Sequence, residues 1–74
     1  MSRRAGQTQV LLGEKIKGLR QERGFSQERL AELAGLDRTY VSSLERGHRN
    51  ISVENIARIA NALETTLEEL FEGV

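Results

Sequence analysis

A chain of 74 residues can build one core and little more, and without a single cysteine it has neither a disulfide framework nor a Cys-based metal site to stabilise it. No apolar run approaches the roughly 18 residues of a membrane span, and the opening MSRRAGQTQ lacks a signal-peptide core, so no membrane contact is expected and the cytoplasm is the expected location. The formal net charge is zero, yet ten of the eleven Lys and Arg residues precede Ser52 against six of the eleven carboxylates, leaving about +4 before that point and −4 after it.

The opening residues show no helical apolar spacing, and residues 1–8 are expected as a flexible arm ahead of one domain over 9–74. Leu12, Ile16 and Leu19 recur at i, i+4 and i+7, and Gly24 supplies a stop. Ser26 can cap a second helix carrying Leu30, Ala31 and Ala34, which Gly35 ends. Asp37 can cap a third, ended by Gly47. Ser52 can cap a fourth with Val53, Ile56, Ile59, Ala60 and Leu63 on one side. Thr66 with Glu69 makes a capping box for a short fifth helix bearing Leu67, Leu70 and Phe71. There are no prolines, alternating apolar runs or repeats, so the expected class is all-α, five short helices joined by tight turns. Only Gly35 and Leu36 separate the second helix from the cap of the third. That spacing predicts a helix-turn-helix, a geometry that many small helical bundles also contain.

The third helix, LDRTYVSSLERGHRN with its flanks, has an unusual division of faces. On a wheel at about 100° per residue, Val41 and Leu44 point inward, and Glu45 falls beside Val41. Arg38, Thr39, Ser42, Ser43 and Arg46 cover the opposite side. Small hydroxyl side chains let a helix approach a groove floor closely, and an Arg in the first turn can reach both major-groove acceptors of a guanine. Arg46, His48, Arg49 and Asn50 are longer donors at the edges and suit phosphate oxygens. A merely solvated face would have the same composition, and the preceding turn and the basic tail argue against it.

The run SQERLAELAGLDRTYVSSLERGHRN, followed by NIARIANAL, resembles the Cro/CI-type, or XRE, helix-turn-helix family. The likeness extends from about Leu12 to Phe71, and LDRTYVSSLERGHRN is most similar to the controller proteins of restriction–modification systems. Phage-type repressors and antitoxin-like regulators share most of the pattern. The resemblance implies a lambda-repressor-like five-helix bundle that regulates transcription as a homodimer on double-stranded DNA, with RNA polymerase as a further partner and no cofactor. It also implies roles by position. Arg38, Thr39 and Ser43, with Tyr40 beside them, match base-contacting positions. Gln27, Ser42, Arg46, Arg49 and Asn50 match contacts to the DNA backbone. Arg20 and Glu45 match an internal ion pair, which an inward-facing carboxylate needs on energetic grounds alone. Many members carry Pro where this chain has Ile51.

Two other classes fare worse. His48 is the sole histidine, and Ser43, Glu45 and His48 sit at helix spacings that face different ways, so catalysis is not expected. A protein-binding bundle that had lost DNA would show an acidic or apolar third-helix face. Phe25 is expected in the core, and three aromatic residues make a poor platform for single strands. One recognition helix spans only a few base pairs, so a pseudo-palindrome bound by two copies is expected, with paired helices about 34 Å apart. The acidic C-terminal part is the expected dimer interface, with Ile51 and Leu67 as candidate contacts at the margins of the core faces.

Overall fold

Four of the five helices begin at a short polar side chain that takes up an otherwise unpaired backbone N–H. In the computed structural model, which describes residues 5–74, the elements are α1 (Ala5–Glu22), α2 (Gln27–Ala34), α3 (Arg38–Glu45), α4 (Val53–Ala62) and α5 (Leu67–Phe71). Ser26 Oγ accepts from the Arg29 N–H at 3.0 Å, Asp37 Oδ1 from Thr39 at 2.8 Å, Ser52 Oγ from Asn55 at 3.1 Å and Thr66 Oγ1 from Glu69 at 3.0 Å. Such a cap contributes about 1 kcal/mol. The capping box on α5 is only half made. The Glu69 carboxylate accepts from the Thr65 hydroxyl at 2.8 Å, one residue short of the reciprocal bond expected on Thr66.

Helix ends are equally regular. After α2, Leu36 N–H donates to the Ala31 carbonyl at 2.8 Å and Gly35 N–H to that of Glu32 at 3.3 Å, with Gly35 at φ 70°. Both bonds of this motif require a left-handed residue, which glycine adopts without a Cβ penalty. The same pair of bonds closes α4, where Glu64 holds φ 55° in place of a glycine.

The helices enclose one core. Ile16, Leu30, Val41, Leu44, Ile59, Leu63 and Leu70 are fully buried, each worth roughly 1.5–3 kcal/mol relative to exposure. Phe25 is half-buried against them, as expected. α3 packs on α1 and α2, α2 on α4, and α5 on α1 and α4. Among the described residues, no helix is long and apolar enough to cross a membrane.

Three expectations need correction. α1 starts at Ala5, so residues 5–8 of the expected arm are helical, and residues 1–4 lie outside the described part. The apolar repeat starts late because only Leu12 onward faces the core centre, whereas the preceding turn is held by polar and edge contacts described below. Val53 is 80% exposed rather than on the core side of α4. Its wheel angle is right, but it opens the helix one turn ahead of Ile56, the first residue of α4 to be buried. In α5 only Leu70 is buried, with Leu67 and Phe71 at 42% and 44% exposure. A five-residue helix has too short a face to bring all three under cover.

Candidate nucleic-acid interface

The turn of Gly35 and Leu36 sets α3 against α2 with its outer face toward solvent. Val41 and Leu44 anchor it from beneath, and Glu45, the last residue of α3, is buried. That carboxylate would be costly unpaired, and it is fully partnered. Arg20 Nε donates to Oε2 at 2.7 Å, Arg20 Nη2 to Oε1 at 3.1 Å, and Gln27 Nε2 to Oε1 at 3.0 Å. Arg20 Nη1 also donates to the Phe25 carbonyl at 2.8 Å. One carboxylate thus ties α3 to α1 and to the first residue of α2, and Gln27 braces the helix from behind.

The outer face carries the polar residues singled out in the sequence. Arg38, Thr39 and Arg46 are exposed, and Ser42 and Ser43 partly so. Arg46 Nη2 lies 3.5 Å from Ser43 Oγ. Tyr40 is half-buried, its hydroxyl accepting from Asn55 Nδ2 at 3.4 Å, and the Arg49 guanidinium lies 5.3 Å above its ring. That stacking brings the loop cation onto the edge of the α3 face. Among the described residues, Arg38, Arg46 and Arg49 pair with no carboxylate, whereas Arg29, Arg58 and Arg20 pair with Glu32, Glu54 and Glu45. Lys15, Lys17 and Arg23, in and just after α1, also lack a carboxylate partner among the described residues, so Arg38, Arg46 and Arg49 are the three of these six unpaired cations that lie at α3 and the loop that follows it.

Thr39 has a further constraint. Its hydroxyl and its N–H both donate to the Asp37 carboxylate, and these two bonds, the hydroxyl's first, hold the Asp37 pKa below its ordinary value, with Arg38 adding to the effect. With its proton committed, Thr39 offers solvent only lone pairs and a methyl group. Those suit a base amino group or a thymine methyl.

Beyond α3 the structure brings together residues that the sequence left apart. Asn50 is exposed and accepts from Gln9 on α1. A groove of about 280 Å³ opens between α1, the α3–α4 loop, α4 and α5, floored by Leu12, Ile51 and Ile56, with Val53 and Phe71 on its walls and Arg49 and Asn50 at its rim. Ile51 lines this groove and Leu67 does not. Sequence reasoning missed Val53 and Phe71, which it had assigned to the core, and missed Gln9 entirely. Phe71 could have been found, since α5 is too short to cover both it and Leu67. Gln9 carried no local signal.

Among the described residues, Ser43, Glu45 and His48 do not converge on one site. Glu45 is buried under α3 while His48 is exposed beyond its end. Among the described residues, no cluster of His, Cys, Asp or Glu could hold a metal ion.

Comparison with known proteins gives this geometry a context. Residues 16–70 match the family model described as Helix-turn-helix. Control protein C.MunI of Mycoplasma sp is 46% identical over 66 residues, covering 88% of this chain and 89% of that protein. The crystal structure of the restriction-modification controller protein C.AhdI from Aeromonas hydrophila is 50% identical, with a TM-score of 0.83 over 84% of this chain and 94% of that one. The controller protein C.Esp1396I, solved as a tetramer in complex with its natural 35 base-pair operator, is 36% identical with a TM-score of 0.82, covering 89% and 87% of the two chains. By fold, by matched length and by identity, the chain belongs to the helix-turn-helix family and, within it, to the controller proteins of restriction–modification systems.

Proposed function

We propose that the protein is a transcriptional regulator of a restriction–modification system that binds double-stranded operator DNA as a homodimer through the outer face of α3. The observation that carries this reading is the cluster of carboxylate-free guanidinium groups, Arg38, Arg46 and Arg49, on and beside a helix whose orientation is held by the buried Arg20–Glu45–Gln27 contacts. Arg38, with Thr39, Ser43 and Tyr40, would read base edges. Ser42, Arg46, Arg49 and Asn50 would hold phosphates. The Gln27 amide, half-buried against Glu45, would reach the backbone at the start of α2. C.Esp1396I, seated on its operator with the same fold, supports this assignment.

A single α3 covers too few base pairs for specificity at useful affinity, and two copies double both contacts and site length. The groove between Ile51, Val53 and Phe71, with Leu67 farther along α5, is the apolar area that a second copy would cover. Its walls, Val53 and Phe71, belong to the acidic C-terminal part, and its rim meets the cationic face at Arg49. RNA polymerase, which such a regulator assists or excludes in the cytoplasm, is the second macromolecular partner in this reading.

Selection from a pool of randomised duplexes tests the proposal. The expected product is a sequence with two inverted half-sites about one helical turn apart, bound by two copies. A pool that shows no enrichment, or an enriched site without symmetry bound by one copy, would overturn it.

A further inference from the structure

The first described turns of α1 run past the point where its apolar spacing begins, and they lie against the end of α3 and the loop beyond. The approach is close enough to exclude side-chain carbon. A Cβ at Gly13 would stand 2.8 Å from the Glu45 carbonyl oxygen, and one at Gly47 would stand 2.8 Å from Val10 Cα. This packing places Gln9 beside the loop, where its Nε2 donates to Asn50 Oδ1. The loop is also held by the His48 N–H on the Ser43 carbonyl at 3.0 Å and by Arg49 over the Tyr40 ring. Asn50 itself is exposed.

The direction of the Gln9 bond matters chemically. A primary amide has a donor end and an acceptor end, and phosphate oxygens only accept. An Asn50 turned with its carbonyl outward would meet a phosphate oxygen to oxygen. By donating to Oδ1, Gln9 occupies the end that DNA cannot use and leaves the Asn50 NH₂ as the outward group. We propose that Gln9 is a positioning residue for DNA binding, which orients the Asn50 amide to donate to a backbone phosphate. This inference rests on the reading of Asn50 as a DNA-backbone contact.

The test is a double-mutant cycle on the full chain with Gln9→Ala, Asn50→Ala and both together. Affinity is measured on the selected operator and on a scrambled duplex over a salt series, with thermal melting alongside. Asn50→Ala should weaken both duplexes equally. Gln9→Ala should do the same by about twofold to tenfold, and should add nothing once Asn50 is Ala. Melting should be nearly unchanged, because Gln9 contributes nothing to the buried core. Gln9→Glu provides the second arm. Its carboxylate can only accept, so it should turn the Asn50 amide round and bind DNA less well than Gln9→Ala. The excess loss over Gln9→Ala should shrink in the Asn50→Ala background, where only the added charge acts.

The failures are distinguishable. If Asn50→Ala leaves affinity unchanged, the reading of Asn50 falls and the role of Gln9 falls with it. If Asn50→Ala weakens binding and Gln9→Ala does not, only the role of Gln9 falls. If the two losses add fully, Gln9 acts on DNA or on the fold by itself, and the positioning role is overturned.

Discussion

Arg20 and Glu45 meet edge to edge, two guanidinium nitrogens against two carboxylate oxygens, and fasten α1 to the last residue of α3. Their side chains are 11% and 2% exposed, so solvent screens the pair little. Glu45→Ala would strand the guanidinium in a site built for a carboxylate and should cost about 3–5 kcal/mol in urea unfolding. Replacing both residues with apolar side chains of similar volume should be much milder, because neither charge is then left alone. Equal losses in the single and double variants would show that the pair is not coupled.

Reading and holding are separable at α3. Arg38→Ala should lower affinity for the operator by roughly 1–3 kcal/mol and relax the preference at one position of each half-site. Arg46→Ala should weaken operator and scrambled duplexes alike, and reduce the salt slope by about one for each copy bound. Phosphates are the same on every sequence, which is why the comparison discriminates. If Arg38→Ala weakens both duplexes equally, Arg38 holds the backbone and the base-reading residue lies elsewhere.

Val53 gives a clean probe of the second copy, because its exposure means that a polar replacement disturbs the monomer little. A change in a two-fold interface enters twice. Val53→Glu should therefore weaken self-association by about 2 kcal/mol or more, seen in sedimentation as a shift toward monomer, with operator affinity falling in parallel. Leu67→Glu should act likewise if the contact extends along α5. A Val53→Glu protein that sediments and binds as the parent does would place the interface elsewhere.

Glu64 stands in a left-handed conformation at the end of α4, with Thr65 N–H on the Ala60 carbonyl at 3.0 Å and its own N–H on that of Asn61 at 3.1 Å. An L-residue there costs about 1–2 kcal/mol, of which glycine recovers the steric part and gives back some through the entropy of the unfolded chain. Glu64→Gly should gain up to about 1 kcal/mol, a rise of about 4–8 °C in Tm for a gain of that size in so small a domain. DNA affinity should not change. A lower Tm would mean that the Glu64 side chain stabilises the turn in some other way.

The helices, their caps and their stops were legible in the sequence because each depends on residues two to five apart. Ser26, Asp37, Ser52 and Thr66 each meet a backbone N–H two or three residues on, and Gly35 answers to carbonyls of its own helix. The outward face of α3 followed from the same short period, as did the need for a partner at Glu45. What the chain did not disclose locally lies between distant segments. Gln9 meets Asn50 across 41 positions, Gly13 and Gly47 let α1 cross the end of α3, and the apolar groove is assembled from three helices and a loop. Val53 shows the reason most plainly. A helical wheel gives the angle of a side chain about its axis, but whether that side chain is buried depends on how far along the axis a neighbouring helix still covers it, and only the packed tertiary structure decides that.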